Sequence, residues 1–310
     1  MNGYEELRTA AAWIDLSARG KIRITGEDRA RLVHAMCTNH VKNLQPGDGL
    51  YAFFLNEKGR IFADAYIYNF GESYLIDTEP EVKQKLFDHL DRYIIADDAV
   101  PEDETEKWDV VAIEGPKAAE VAASLGIAVS EKQYAVAPWE AGFIARVHSA
   151  GIDGVRIFVP AVARQNLLDR LAGFQIPQAD AEAARTVRIE NAIPRYGDEI
   201  TERYLVQETG QMHAVHCSKG CYLGQEIVER VRSRGQVHRV LMPVRIKTNT
   251  PPEPGTRLTA RGADAAEIAS AVYSPAHGEV AALAYVRTEV QCEKPVLIVK
   301  GSEPPVEAVL

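Results

Sequence analysis

Long apolar runs are missing from this sequence. No stretch approaches the ~20 consecutive apolar residues that a membrane-spanning helix needs, so no membrane contact of that kind is expected. The first twenty residues carry Glu5, Glu6 and Asp15 and contain no continuous apolar segment. The sequence therefore predicts neither a signal peptide nor a transit peptide at this end.

Cysteine is also scarce. The 310 residues include four cysteines, at positions 37, 217, 221 and 292, too few for a disulfide framework in a chain of this length. A reducing cytoplasm is the compartment that this usage favours. There, a cysteine is either a small buried hydrophobic residue or a reactive thiol.

An excess of positive charge is lacking too, since the formal net charge is -9. Non-specific nucleic-acid binding depends on Lys and Arg releasing counterions, so any RNA contact would need a local basic patch. One patch lies in residues 219–239, where Lys219, Arg230, Arg232, Arg234 and Arg239 face only Glu226 and Glu229. It could hold a polyglutamate tail, a phosphate or RNA, or it could be the solvated face of a helix.

What is present is the composition of a globular protein, with 46% hydrophobic and 25% charged residues. The length suggests more than one domain. Residues 51–55 and 61–68 have the alternating pattern of a hairpin, and residues 143–172 have a strand, strand, helix pattern. Because short turns join the paired strands, we predict antiparallel α+β sheets. Beyond Val240, short extended segments broken by Pro and Gly predict a small β-barrel.

The segment Lys219-Gly-Cys-Tyr-Leu-Gly-Gln-Glu226 places Cys221 directly before a predicted helix. A thiol near a helix amino terminus, with Lys219 two residues away, is in a setting that favours the reactive thiolate. A buried structural thiol is the alternative.

Four metal-ligand side chains crowd into the same region, at His213, His216, Cys217 and Cys221. Their spacing lacks the separated ligand pairs of common zinc modules, and adjacent ligands rarely reach one tetrahedral centre. We therefore predict no metal site here and expect polar loop residues instead.

Asp64 is a carboxylate among aromatic residues. Two-residue alternation places it on the strand face that carries Phe62, Tyr66 and Tyr68. Such a wall could stack a flat heterocycle while the acid binds an amino group, or Asp64 could be a solvated residue of an edge strand.

Glu190 is a second carboxylate in apolar surroundings, just before a bend around Tyr196. Burying a lone carboxylate is costly, so Glu190 should either bind a ligand or form a salt bridge with Arg188 or Arg195.

Three separated segments together resemble the superfamily of the glycine-cleavage T-protein. The first is ITGEDRARLVHAMCTNHV followed by LNEKGRIFADAYIY, and the second is RIENAIPRYGDEI. The third, KGCYLGQE, stands where T-proteins typically carry K-x-D-F-x-G, and it resembles the signature of the YgfZ-type folate-binding proteins. One segment departs from the T-protein pattern, because Ser149-Ala-Gly-Ile-Asp-Gly154 lacks the tyrosine and glutamate of Y-T-G-E-D-G.

The resemblance implies a fold and a division of the chain. The fold would be a three-domain cloverleaf of ferredoxin-like α+β layers and a small carboxy-terminal β-barrel around a central folate channel. Residues 1–48 and 146–238 would form the folate-binding domain, residues 49–145 a second α+β domain, and residues 239–310 the barrel.

The resemblance also implies tetrahydrofolate, or a one-carbon derivative, as the cofactor. Asp64 would lie near the reactive nitrogen of the folate and Glu190 at the pterin. The implied cofactor-binding residues are Phe62, Asp64, Tyr66, Glu190, Tyr196, Lys219 and Gln225, and the implied catalytic residues are Asp64 and Cys221.

The implied function is support of iron-sulfur cluster assembly or repair and, through iron-sulfur enzymes, of tRNA modification. Iron-sulfur enzymes or assembly factors would be the partners. One alternative is an aminomethyltransferase that moves a one-carbon unit to tetrahydrofolate. Another is a non-enzymatic tRNA-binding or scaffold protein that uses Arg230, Arg232, Arg234 and Arg239.

Overall fold

A computed structural model describes residues 1–151, 153–235, 237–293 and 295–310. Its strands form two five-stranded sheets and a closed barrel. In chain order the strands are β1 (Ala12–Asp15), β2 (Gly20–Thr25), β3 (Gly49–Leu55), β4 (Ile61–Asn69), β5 (Tyr74–Thr78), β6 (Val100–Asp103), β7 (Trp108–Glu114), β8 (Val136–Trp139), β9 (Gly142–Ala145), β10 (Gly154–Pro160), β11 (Arg239–Ile246), β12 (Arg257–Ala260), β13 (Ala263–Ser274), β14 (Glu279–Arg287), β15 (Leu297–Val299) and β16 (Glu307–Val309).

Helices connect and cover these strands. The α-helices are α1 (Tyr4–Thr9), α2 (Arg29–Met36), α3 (Lys83–Arg92), α4 (Ala118–Ser124), α5 (Arg164–Gly173), α6 (Ala181–Glu190), α7 (Gln225–Arg234) and α8 (Thr288–Glu293). Short 3-10 helices lie at Val41–Asn43, Pro80–Val82, Thr105–Lys107, Ala161–Ala163, Val206–Thr209 and Met212–Ala214.

The two sheets are antiparallel throughout their paired strands. The first has the order β1-β7-β10-β9-β8 and the second the order β3-β4-β5-β2-β6. Strands β1 and β2 are close in sequence but belong to different sheets. Residues 16–19 therefore cross from one sheet to the other and carry Arg19 between them.

The inner faces of the sheets pack against each other through aromatic side chains. Tyr68 and Leu75 of the second sheet belong to one buried cluster with Phe143 and Phe158 of the first. The rings of Phe143 and Phe158 stack with centroids 4.3 Å apart. Burying a side chain of this size contributes about 1.5 to 3 kcal/mol, so this cluster holds the sheets together.

The outer faces are covered by helices with apolar residues at helical spacing. In the segment that ends in α3, Val82, Leu86 and Leu90 recur every four residues and are all buried against the second sheet. The first sheet is covered by α4 and α5, which bury Ala118, Ala122, Leu167 and Leu171.

The carboxy-terminal strands close into a six-stranded barrel in the order β11-β14-β13-β12-β15-β16, with β16 pairing back to β11. Small residues such as Ala266, Ala282 and Ala284 fill its core. Helix α6 packs on the outside of this barrel, where Ile189 contacts a cluster containing Val272 and Leu283.

The α+β class and the carboxy-terminal barrel predicted from the sequence are confirmed. The domain boundaries stay a prediction, because strand pairing alone does not divide the chain. In the described part of the chain, no helix has both the length and the apolar character required to cross a bilayer.

Candidate functional site

A cavity of about 1100 Å³ opens between the two sheets. Asp64 and Tyr66 line it from β4 of the second sheet, and Glu79 lines it from the residue after β5. Arg156 lines it from β10 of the first sheet, and Arg19 from the crossing segment. Small-molecule pockets typically measure ~300 to 1,000 Å³. The volume is therefore sufficient for a ligand the size of a cofactor.

Asp64 is the acid at the centre of this cavity wall. It lies on β4, is 5% exposed, and accepts a hydrogen bond of 2.6 Å at Oδ2 from the Tyr51 hydroxyl. Burial, together with the nearby charge of Glu79, raises the pKa of Asp64 to about 6. Among the ion pairs of the described residues, none includes Asp64, so this carboxyl group can exchange a proton close to neutral pH.

Glu79 is a second acid in the same wall, but it is held by cations. It pairs with Arg19, and its Oε2 lies 2.9 Å from Nη2 of Arg195. Burial alone would raise the pKa of Glu79, but the guanidinium groups of Arg19 and Arg195 outweigh it and lower the pKa. Glu79 is therefore a fixed negative charge beside Asp64.

A buried ion-pair cluster supports the aromatic side of the cavity. Asp77, on β5, lies 2.5 Å from both Nε of Arg19 and Nη1 of Arg156. The guanidinium of Arg156 lies 4.5 Å from the ring centroid of Tyr66 and donates a 2.9 Å hydrogen bond to the Ser149 hydroxyl. Because Arg156 is 1% exposed, this cation–π contact is shielded from water and fixes the Tyr66 ring.

Aromatic rings form a continuous surface beside Asp64. The Tyr51 ring lies 5.2 Å from that of Tyr66, which lies 5.8 Å from that of Tyr134. His213 stacks on Tyr51 at 5.6 Å, and burial lowers its pKa, so its imidazole is neutral. An aromatic wall beside one carboxyl group suits a flat heterocycle that carries N–H groups.

His148 also lines the cavity, and its Nδ1 is buried without a hydrogen-bond partner. Burial lowers the pKa of His148. The adjoining loop is held by Glu114, which accepts hydrogen bonds from the backbone N–H groups of Ser149 and Ala150 at 2.6 and 2.7 Å. In the predicted Ser149–Gly154 segment, Ile152 lies outside the described residues.

Of the side chains predicted to bind the cofactor or to be catalytic, the lining includes two, Asp64 and Tyr66. Phe62 lies elsewhere because a β-bulge interrupts the alternation: Phe54 pairs with Ala63, but Leu55 pairs with Ile61. The Phe62 ring instead lies 4.5 Å from the ring of His89 on α3.

Glu190 is occupied by protein partners. It accepts hydrogen bonds from the hydroxyls of Tyr4 and Ser274, at 2.6 and 2.5 Å, and lies 3.2 Å from Nε of Arg8. The expected salt-bridge partners, Arg188 and Arg195, are wrong. Arg188 instead pairs with Glu199 at 2.8 Å.

Tyr196 is buried and is not among the residues that line the cavity. Burial, together with the charge of Asp64, raises the pKa of Tyr196 to about 12. Its hydroxyl is therefore close enough to Asp64 to sense the charge of that carboxylate.

The KGCYLGQE segment forms a loop over the end of α2, outside the cavity lining. The backbone of this loop is fixed at both ends, from His216 N to Thr38 O at 3.0 Å and from Leu223 N to Ala35 O at 3.1 Å. Lys219 points inward and donates to the carbonyls of His34 and Cys37, and burial lowers its pKa to about 8.

The Lys219 ammonium group is therefore engaged with backbone oxygens. Gln225 is the first residue of α7 and accepts a 3.2 Å hydrogen bond from Tyr222 N. Cys221 and Cys217 are both exposed on this loop. In the described residues, no group of three or more His, Cys, Asp or Glu side chains is arranged to hold a metal ion.

The basic patch is largely paired. Arg230 and Arg232 contact Glu226 and Glu229, each at 2.6 Å, on the surface of α7. Arg239 contacts Glu208 at 2.8 Å. The side chain of Arg234 lies outside the described residues.

Several cavity residues were not identified from the sequence: Arg19, Tyr51, Glu79, Tyr134, His148 and Arg156. His213 was considered there only as a metal ligand. The sequence nevertheless contains a pattern that indicates the ion-pair cluster of Asp77 and Arg156. Asp77 in YLIDT and Arg156 in VRIFV are single charges within otherwise apolar strands. Because an unpaired buried charge is so costly, two such strands indicate a buried ion pair between sheets.

Comparison with known proteins identifies relatives over most of the chain. The model of the GCVT N-terminal domain family matches residues 2–219. The chain is 29% identical to the aminomethyltransferase of Rubrobacter xylanophilus, over 95% of this chain and 81% of that protein. It is also 29% identical to the aminomethyltransferase of Streptomyces coelicolor, over 90% of this chain and 79% of that protein.

Among solved structures, the chain is similar to aminomethyltransferase T of the glycine cleavage system from Bartonella henselae. The TM-score is 0.90 at 20% identity, over 99% of this chain and 86% of that one. This similarity establishes the fold.

Proposed function

This chain belongs to the GCVT N-terminal domain family, and from that premise we propose that its cavity binds tetrahydrofolate or a one-carbon derivative. The observation that carries the proposal is a buried carboxyl group with no ion-pair partner among the described residues, set in a wall of aromatic rings. The Tyr51 hydroxyl donates its hydrogen bond to Oδ2 of Asp64, so Oδ1 is available to accept one from an N–H group of the pterin. The Tyr66 and Tyr134 rings supply flat apolar surface for the heterocycle.

The cavity residues fit this ligand in size as well as in chemistry. About 1100 Å³ exceeds what a pterin ring alone requires and leaves space for the rest of the molecule. Bound tetrahydrofolate supplies nitrogen atoms that carry one-carbon units. The protein side chains orient it: Asp64 accepts its N–H hydrogen bond, and the Asp77–Arg156 pair fixes Tyr66 against it.

We further propose that the protein has the accessory role of YgfZ-type proteins, in iron-sulfur cluster assembly or repair. The KGCYLGQE loop supports this role, because it presents Cys221 at the surface, where a partner protein can reach it. In this reading the cavity holds the folate and the exposed thiol contacts an iron-sulfur enzyme or assembly factor. tRNA modification would depend on those enzymes.

The folate proposal is tested by calorimetric titration of tetrahydrofolate under anaerobic conditions. Wild type should bind, and Asp64→Asn should lose about 2 kcal/mol of binding free energy, because a hydrogen bond to a charged group contributes about 1.5 to 3 kcal/mol. Asp88→Asn, an exposed change on α3, is the matched control and should bind as wild type does. Equal affinity for Asp64→Asn and wild type would remove the assignment of this cavity.

Aminomethyl transfer is the second candidate, because the relatives named above are aminomethyltransferases. It is tested with an aminomethylated lipoyl carrier protein and tetrahydrofolate. The accessory role predicts folate binding without formation of a methylene-folate product. Turnover in this assay would replace the accessory role with the transferase.

Transfer-RNA contact is the weaker alternative, because Arg230, Arg232 and Arg239 are each paired with a glutamate.

A further inference from the structure

His148 is a histidine of the cavity wall to which the proposed function assigns no role. It lies between β9 and β10 and lines the same cavity as Asp64 and Tyr66. Its Nδ1 is buried and has no hydrogen-bond partner among the described residues. Nε2 is therefore the ring nitrogen that a ligand in the cavity can reach.

The neighbours of His148 fix its position. The next residue, Ser149, donates its backbone N–H to Glu114 at 2.6 Å, and its hydroxyl accepts a 2.9 Å hydrogen bond from Arg156. Gly154 is the first residue of β10, and a Cβ added to it would lie 3.1 Å from Cβ of His148 and 2.9 Å from Cγ of Glu114. Because glycine has no Cβ, both side chains can pack directly against the backbone of β10.

The His148 imidazole is neutral at pH 7. Glu114 and Asp153 favour its protonated form, whereas Arg156 and Arg146 disfavour it. Both acids are engaged elsewhere, since Glu114 accepts two backbone N–H groups and Asp153 lies 2.6 Å from Nη2 of Arg146. Burial prevails and lowers the pKa of His148 below its ordinary value of 6.5. A neutral imidazole carries one N–H, on one of its two nitrogens.

The burial of Nδ1 decides which nitrogen of His148 carries that proton. An N–H at Nδ1 would be buried without an acceptor, and an unsatisfied buried donor is costly. The same proton on Nε2 faces the cavity, where water or a ligand oxygen can accept its hydrogen bond. His148 therefore offers a donor at Nε2 and has no free lone pair there to accept a hydrogen bond.

We propose that His148 is a specificity-determining residue that donates a hydrogen bond from Nε2 to a carbonyl oxygen of the ligand, so that the cavity selects an oxo-substituted heterocycle over its amino-substituted counterpart. An amino group in the same place would direct its own N–H at a donor. Tetrahydrofolate carries a ring oxo group, and this identity of the ligand rests on the proposed function. The donor at Nε2 does not depend on that identity.

The experiment compares tetrahydrofolate with its 4-amino analogue, in which an amino group replaces the ring oxo group, by anaerobic calorimetry. Wild type should bind tetrahydrofolate about tenfold more tightly, which is the effect of one hydrogen bond. His148→Phe keeps a ring without a donor, so its tetrahydrofolate affinity should fall about tenfold while its affinity for the analogue changes little. His148→Gln carries an amide that can donate or accept, so it should keep tetrahydrofolate affinity and lose the preference.

His238→Phe is the matched control. His238 is exposed and is not among the residues that line the cavity, so this variant should bind both ligands as wild type does. A preference in His148→Phe equal to that of wild type would overturn the proposal. A wild-type protein that binds the 4-amino analogue more tightly than tetrahydrofolate would overturn it as well.

The nitrogen-15 NMR shifts of the His148 ring in the full-length wild-type protein test the donor even if His148→Phe does not fold. We expect a neutral ring with its proton on Nε2 at pH 7. A proton on Nδ1, or an imidazolium, would contradict the proposal. These shifts also separate the two proposals: if neither ligand binds wild type, the proposed function fails, whereas the ring nitrogens still decide whether His148 is a donor at Nε2.

Discussion

The Tyr51 hydroxyl donates a 2.6 Å hydrogen bond to Oδ2 of Asp64, and both side chains are buried in one cavity wall. This contact orients the carboxyl group, because it leaves Oδ1 as the oxygen available to a ligand. It also stabilises the ionised form of Asp64, against burial and the charge of Glu79.

Removing the Tyr51 hydroxyl should weaken ligand binding while the protein remains folded. We expect Tyr51→Phe to raise the pKa of Asp64 above about 6, since the carboxylate loses its donor. Tetrahydrofolate affinity at pH 7 should fall about tenfold, equivalent to ~1.4 kcal/mol. Calorimetry measures it, and Tyr93→Phe, which lies outside the cavity lining, is the control. An unchanged affinity would show that Oδ2 needs no partner.

The buried pair between sheets should contribute substantially to stability. Arg156→Met leaves Asp77 with Arg19 as its ion-pair partner, and breaking a buried pair costs about 3 kcal/mol in free energy of unfolding. Arg146→Met is the matched control, because it removes a partly exposed contact with Asp153 and should cost less than about 1 kcal/mol. Urea denaturation distinguishes the two, and similar midpoints would argue against a structural role for Arg156.

Lys219 should make stability depend on pH in the alkaline range. Burial lowers its pKa from 10.5 to about 8, so between these values the unfolded chain binds more protons than the folded one. This group therefore stabilises the fold increasingly from pH 8 to 10.5, and that contribution is lost as pH falls through about 8.

The measurement is the difference in unfolding free energy between wild type and Lys219→Met at pH 7, 8, 9 and 10. Tyrosines titrate in both proteins, so their contribution to the pH dependence cancels when the two unfolding free energies are subtracted. A difference that does not change across this range would contradict the burial of Lys219 in its charged form.

Cys221 should matter for function and not for stability. Because it is exposed, Cys221→Ala should change the free energy of unfolding by less than about 0.5 kcal/mol. In a deletion strain, the same variant should fail to restore iron-sulfur enzyme activity. Cys292→Ala removes another exposed thiol and should restore it fully. Full rescue by Cys221→Ala would exclude a role for this thiol.

Local sequence patterns predicted individual strands and helices, because each of these elements depends mainly on residues that are close in sequence. Alternation in residues 51–55 and 61–68 predicted the hairpin of β3 and β4, and the strand, strand, helix pattern of residues 143–172 predicted β9, β10 and α5. The alternation in residues 61–68 also predicted Phe62 on the strand face that carries Asp64, and this prediction was wrong. A bulge lies at Phe62 because Leu55 pairs with Ile61. Such a register shift depends on the partner strand and cannot be predicted from the sequence of one strand.

The candidate site was predicted only in part, because its charges come from distant segments. Arg19, Asp77 and Arg156 meet only when two sheets close on each other. Glu190 was expected to bind a ligand or to pair with Arg188 or Arg195, because it is a carboxylate among apolar residues. Its partners Arg8 and Ser274, however, lie in the first helix and in the barrel.

Glu190 therefore joins three parts of the chain that share no strand pairing. Glu190 is the last residue of α6. It contacts Tyr4 and Arg8 of α1 and accepts a hydrogen bond from Ser274 at the end of β13. The Tyr4 hydroxyl in turn accepts a 3.3 Å hydrogen bond from Ala276 N, 272 positions further along the chain. An amino-terminal change that disturbs the first helical turn would thus loosen the docking of the barrel.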